Sequence, residues 1–435
     1  MKKTPFGIFC ALIMFAVVLS CGAMLFAADN ATEVRSEVLD LDELISEALQ
    51  ANPGIIASQR NRDALWERSP QAKAWDDPRI SLGVRNLPTE DRDFDEINMT
   101  SKEVSISQVI PMPGITSLRQ KIAIQEAKSA DKMHDYTRLQ VVRAVKKAYF
   151  ELYLANRYIT TTEKNRDLLA QFAEIARSNY IVGNGLQQDV LKAQVEHSRF
   201  LERLIQLKQE KTTVIAELNR LLSRERATPL YGEPVLPIGP IALSEEELHE
   251  SAQTGNPALL ALHESIARNE AGYDLAGKSY VPEFVVTGAY GQREDGDNPK
   301  VRRSDIFTVL VGFNVPIWFK SKQSRKVAET HYRFEQSKAE YKALADEIHF
   351  KIRDIIARQE RESDLIELYE NAIIPQAAQA LESSVASYHV GRADFLTLLS
   401  NQVTLYNAEL QLSDSLAQYQ MNQADLEALV GKELF

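Results

Sequence analysis

The chain repeats itself at a spacing close to half its length. LISEALQANP at 44–53 returns as LHESAQTGNP at 248–257, an offset of 204 (257 − 53). Pro78 returns as Pro282 at the same offset, Pro111 as Pro316 at 205 (316 − 111), and Lys121-Ile122-Ala123 as Lys326-Val327-Ala328 at 205 (326 − 121). Further on, YIVGNGLQQDVLKAQ and YHVGRADFLTLLSNQ share a Tyr-x-Val-Gly break, Tyr180 and Gly183 against Tyr388 and Gly391, at 208 (388 − 180). A period this long exceeds any solenoid repeat, so the chain reads as two copies of one multi-element unit, residues 35–232 and 233–435.

Each copy predicts the same succession of elements. A short helix starts at Leu41 or Leu243 and stops at an Asn-Pro, because the residue before proline avoids helical geometry. A second helical piece leads to Pro78 or Pro282, and a strand hairpin follows, about 79–110 in the first copy and 283–315 in the second. Ile80, Leu82 and Val84 alternate with Ser81, Gly83 and Arg85, and Val104 and Ile106 with Ser105 and Ser107. In the second copy Phe284, Val286 and Tyr290 share a face, and Phe307, Val309, Val311, Phe313 and Val315 alternate strictly. The segments between the paired strands, NLPTEDRDFDEINMTSK and GQREDGDNPKVRRSD, are charged loops. A proline turn, PMPG or VPIW, then opens a helical hairpin of unusual length, about 116–226 and 321–432. Residues 116–182 hold neither glycine nor proline, and Val142, Val145, Tyr149 and Leu152 form a helical seam. At 1.5 Å rise per residue such a helix spans roughly 100 Å. Ile348, Ile352 and Ile355 mark the matching seam, with Pro375 as a kink or break. Gly183 and Gly391 read as left-handed glycines that end these helices.

Residues 1–28 carry Lys2 and Lys3, an apolar run from about Phe6 to Phe26, and Ala27-Ala28, which reads as a secretory signal. Two other readings remain: lipoprotein processing at Val18-Leu19-Ser20-Cys21, which would lipidate Cys21, and an uncleaved anchor. Both cysteines, Cys10 and Cys21, lie in this leader, so the exported chain has no disulfide. No later apolar run reaches the length of a transmembrane helix, so a membrane crossing requires strands. Four strands cannot close a barrel, and an open sheet in lipid leaves its edge groups unsatisfied, so several chains must contribute to one barrel. The net charge of −11, without a basic block, argues against a nucleic-acid partner.

The duplicated layout, the Asn-Pro helix ends, Pro78 and Pro282 ahead of the strands, and the two Tyr-x-Val-Gly breaks resemble the TolC-like outer membrane efflux proteins over essentially the whole exported chain. The resemblance implies a mixed, mainly α fold. Four β-strands per protomer join a transmembrane β-barrel shared by a homotrimer in the outer membrane, and long coiled-coil helices form an α-helical barrel reaching far into the periplasm. It implies a passive exit duct of a tripartite, RND-type efflux system. The partners are then a periplasmic adaptor, an inner membrane transporter and outer membrane lipid. Gly183, Gly185 and Gly391 would mark the adaptor-docking tip, and a periplasmic gate link would join Asp189, six residues after the first glycine, to Tyr388, three before the second. A second gate arginine falls at Ala393, with Arg392 one place earlier, and the positions of an acidic ring fall at Thr397 and Ser400. QVIPMPG followed by a basic helix start resembles the heavy-metal branch more than the drug branch.

Two other classes of function compete: the outer duct of a type I protein secretion system, and a periplasmic coiled-coil scaffold without a channel. Enzymatic chemistry finds little footing. Gly272-Tyr-Asp-Leu-Ala-Gly277-Lys278-Ser279 fits the GxxxxGK[ST] phosphate loop by letter but follows helical sequence and leads to a strand, the reverse of the required order. His134, His197, His249, His263, His331, His349 and His389 show no metal-ligand spacing, so neither a metal nor a cofactor is expected.

Overall fold

Asn52 and Asn256 explain why Asn-Pro recurs. Each lies between two helices, α1 (Leu41–Ala51) and α2 (Pro53–Lys73) in the first copy, α5 (Glu245–Gly255) and α6 (Pro257–Lys278) in the second. The proline sits at the first turn of the following helix, where its missing N–H removes no bond. The Asn Oδ1 accepts from the freed amide of Gly54 at 2.9 Å, or Ala258 at 2.9 Å, as an N-cap. The Nδ2 of the same side chain donates to Leu221 O at 2.9 Å, or Leu429 O at 2.9 Å, at the end of the copy's last long helix. One amide thus pins the start of one helix to the end of another 169 or 173 residues away.

This computed structural model describes residues 38–90, 93–95, 97–236, 244–295 and 302–434. The leader at 1–28 and Cys21 lie outside the described residues. After the short helices come β1 (Arg79–Arg85) and β2 (Ser101–Ile110), or β3 (Phe284–Gln292) and β4 (Ile306–Phe313). The first long hairpin is α3 (Ile115–Ile181) and α4 (Gln187–Leu221). The second is α7 (Gln323–Leu368), a π turn (Tyr369–Ile373), α8 (Ile374–His389) and α9 (Phe395–Val430). The chain is thus mainly helical with one antiparallel sheet in the order β1-β2-β3-β4.

The sequence places the end of the fourth helix near residue 226, but α4 stops at Leu221 because Ser223 takes a left-handed φ of 59°. Asn219 Nδ2 then holds the departing chain at Thr228 O, 2.9 Å away. The expected break at Pro375 is a change of helical pitch. Proline has no N–H for the carbonyl four residues back, and Ile374 N donates five residues back to Tyr369 O. The second copy is longer by three residues between its lysine and tyrosine landmarks (208 − 205), and it is the copy with the π turn.

Three apolar clusters run along the helices. One joins α1, α3, α4 and α9 around Phe150, Leu218 and Met421. A second joins α5, α6, α7 and α9 around Ile348, Ile352 and Leu426. The third packs Leu169, Phe172, Phe200, Phe395 and Leu398 toward the helix turns. Val145, Tyr149 and Leu152, read in sequence as a seam, are all buried, and Tyr149 Oη donates to Leu39 O at 3.0 Å and accepts from Val235 N at 2.8 Å. The phosphate-loop letters Gly272 to Lys278 lie in the last turns of α6 and Ser279 is its C-cap, so no loop precedes a helix start to cradle an anion. No helix among the described residues is long and apolar enough to cross a membrane.

Candidate functional site

Two regions carry the functional geometry: the sheet and the turns of the long hairpins. Strand register puts every apolar position noted in the sequence within the four strands on one face, while Val315 lies beyond the end of β4. Leu82, Val104, Tyr290 and Phe307 form one row across the sheet, and Ile80, Ile106, Gly288 and Val309 the next. In the single protomer Leu82 is 77% exposed and Phe307 73% exposed. The opposite face has rows of Ser81, Ser105, Ala289 and Thr308, and of Arg79, Ser107, Thr287 and Leu310. Arg85 pairs diagonally with Glu103 on it at 2.7 Å. An apolar band on one side and small polar or charged side chains on the other is the pattern of a strand set between lipid and an aqueous lumen. Among the described residues β1 and β4 are paired on one edge only, which leaves their outer backbone groups unsatisfied within the sheet.

The two helix turns share one backbone design. Gly183 has φ 78° and Gly391 φ 71°, both left-handed, where an L side chain is strained. Asn184 N donates to Asn179 O at 2.8 Å and Gly183 N to Tyr180 O at 3.1 Å, while Arg392 N donates to Ser387 O at 2.8 Å and Gly391 N to Tyr388 O at 3.1 Å. These two bonds per turn are the paired closure of a glycine-ended helix. Gly185 is constrained differently: a Cβ there would lie 3.1 Å from Asn179 Cβ.

The starts of the return helices differ. Asp394 caps α9 by accepting from Thr397 N at 2.8 Å, and this interaction with Thr397 holds its carboxyl below the usual range. Leu186 stands at the corresponding place before α4 and offers no side-chain cap. The Asp394 cap was readable as an acidic N-cap ahead of an apolar run; the sequence reading passed over it.

Tyr388 is buried at 6% exposure against the Phe395 ring, 5.6 Å between centroids, whereas Tyr180, its counterpart, is exposed. Among the described residues the Tyr388 hydroxyl makes no hydrogen bond of good geometry, and the Asn179 side chain is its nearby polar group. Burial chiefly, then the negative charge of Asp189, push it above the ordinary pKa of tyrosine, with the Asn179 side chain opposing. Asp189 lies in the first turn of α4, where a carboxylate suits the helix dipole. Tyr388 and Asp189 are therefore brought within electrostatic reach, while Arg392 is exposed at the turn. Thr397 and Ser400 lie on the exposed side of α9. Around the turns Ile181, Val182, Leu186 and Val390 are each at least 60% exposed, an apolar surface without a partner in the protomer.

Sequence reading also missed Lys146–Glu427, a 2.7 Å ion pair buried between α3 and α9, beside Arg143 and Lys147 on Asp425. Charges in isolation give no sign that they will meet 281 residues apart.

Comparison with known proteins agrees with this architecture. The family model described as outer membrane efflux protein matches twice, at residues 44–224 and 248–432. Outer membrane protein TolC of Vibrio cholerae serotype O1 is 21% identical over 400 residues, covering 90% of each chain. The crystal structure of the outer membrane protein VceC from Vibrio cholerae superposes with a TM-score of 0.77 at 16% identity, covering 91% of this chain and 97% of that one. A CusC structure superposes with a TM-score of 0.76 at 16% identity, over 90% and 92%.

Proposed function

The chain belongs to the outer membrane efflux protein family, and from that premise we propose that it is the passive exit duct of a tripartite, RND-type pump, working as a homotrimer. It is an outer membrane channel protein and not an enzyme. The observation that carries the duct reading is the two-faced, open-edged sheet: an apolar face for lipid, a polar face for water, and edges that only further strands can satisfy. The exposed apolar turns at the far end of the hairpins are the surface offered to a periplasmic adaptor, itself bound to an inner membrane transporter. Heavy-metal cations are the cargo we favour, on the QVIPMPG turn and its basic helix start.

Planar-bilayer recording of the purified assembly tests the duct. Discrete conductance is expected; its absence, with the protein found soluble in the periplasm, would establish the scaffold instead. A deletion strain challenged with metals and with lipophilic drugs tests the cargo, and unchanged metal tolerance would remove the metal assignment.

For the gate, Asp189 and Tyr388 link neighbouring hairpins in the closed tip, the carboxylate lying within electrostatic reach of a buried hydroxyl. Asp189→Ala or Tyr388→Phe then shifts the tip toward open by ~0.5–2 kcal/mol. A shift of about 1.4 kcal/mol is tenfold in the open-to-closed ratio, seen as longer openings, and the double variant adds little to either single one. Additive effects would show that the two residues act separately.

A further inference from the structure

At the helix-proximal end of the second strand pair, the lipid-facing apolar band runs into a groove of about 630 Å³ between the end of α6, the end of β4 and the start of α7. Phe313, Pro282, Ile317 and Trp318 are among its apolar lining residues. In the single protomer Ile317 is 66% exposed and Trp318 71% exposed, although one is aliphatic and the other the largest aromatic. Two cations, Lys278 and Lys322, line the same groove, with one carboxylate, Glu283. Neither lysine ammonium is engaged in an ion pair among the described residues, and Lys320 and Arg325 add exposed positive charge beside them. The first copy has PMPGITSLRQ at the corresponding position, with no aromatic residue, so the feature is not required by the repeat.

All four strands meet their helices at this end, which makes it the periplasmic boundary of the membrane. A groove of mixed polar and apolar lining at the end of a lipid-facing band, with an amphipathic tryptophan and two cations among its lining residues, matches a two-chain lipid with a charged head. We propose that this groove binds an anionic phospholipid of the inner leaflet: the phosphate between Lys278 and Lys322, the acyl chains along Phe313 and the band above it, and Trp318 at the head-group level. The lysine of the phosphate-loop letters thus meets phosphate by a different route, at the C-terminal end of a helix rather than in a loop.

Native mass measurement of the whole detergent-solubilised assembly, titrated with phosphatidylglycerol and separately with phosphatidylcholine, tests the proposal. Phosphatidylglycerol should be retained about tenfold more tightly, as two interfacial lysines allow. In Lys278→Gln with Lys322→Gln the preference should collapse, and Glu283→Gln should strengthen it. Trp318→Ala should weaken both lipids alike. These side chains are exposed or at the groove surface, and the intact assembly mass verifies each variant. Equal retention of the two lipids by the unaltered protein would overturn the proposal, as would a preference that survives the double substitution. Displacement of phosphatidylglycerol by inorganic phosphate alone would also overturn it, marking a site for free anions.

Discussion

Asn256 is buried at 3% exposure and holds Ala258 N, Leu259 N and Leu429 O at once. Asn256→Ala removes a cap worth ~0.5–2 kcal/mol and orphans a buried carbonyl at ~1–3 kcal/mol, so a destabilisation of about 2–4 kcal/mol is expected in thermal melts followed by circular dichroism. Asn256→Asp keeps the acceptor and loses the donor, and should fall between the two. His134 offers a pH test. Its Nδ1 lies 2.7 Å from Ser58 Oγ, joining α3 to α2, and burial first, then the charges of Arg62 and Arg138, lower its pKa from the ordinary 6.5, against the opposing pull of Asp135 and Asp63. A lowered folded value means that the unfolded chain takes up the proton first. The His134 contribution is therefore complete above 6.5 and lost as the pH falls through the folded value. The drop in melting midpoint between about pH 7.5 and about pH 5.5 should shrink in His134→Gln; an unchanged drop would place the acid sensitivity elsewhere. At this scale the sequence was only half legible. Asn-Pro announces a helix boundary through local sterics, whereas the second use of the amide depends on a chain segment 173 residues away. Likewise Tyr180 and Tyr388 read identically, yet packing against Phe395 buries only one.

Strands and helices were far more legible, because periodicity is a local property that register preserves. Alternation assigned Leu82, Val104, Phe307 and Val309 to one face, and pairing keeps them there. Val109, Val285, Ile306 and Leu310 on the polar face are exceptions that alternation alone could not interpret. Substituting adjacent residues of β4 turns the two faces into a measurement. Val309→Lys buries a cation in lipid at ~2–4 kcal/mol near the midplane and should reduce the heat-resistant assembled fraction on gels. Thr308→Lys, one residue away, should assemble normally and alter ion selectivity in bilayers. Equal damage by both would mean that the sheet does not separate lipid from water. The π turn was foreseen only as an interruption at Pro375, since a proline states that a hydrogen bond is missing and not how the helix absorbs the loss.

Across the whole molecule the sheet has two unlike edges, β1 and β4, so joining copies edge to edge is head-to-tail and must close into a ring to avoid an open polymer. Three copies of four strands give a barrel of the size that leaves an aqueous lumen, and native mass should report a trimer; any other stoichiometry would count against this closure. The duplication made the architecture readable before any coordinate. It could not reveal which chain covers each exposed surface, because an unpartnered apolar residue looks the same in sequence as a buried one. The asparagine pins have a mechanical consequence. They fasten the ends of the return helices α4 and α9, by Leu221 and Leu429, and leave the turns at Gly183 and Gly391 at the far ends. The 35 residues of α4 between pin and turn are then a lever arm of roughly 50 Å, and a tilt of about 3° at the fulcrum sweeps its tip through roughly 3 Å. Small torques at the base are thereby geared up into displacements the size of a side chain at the mouth.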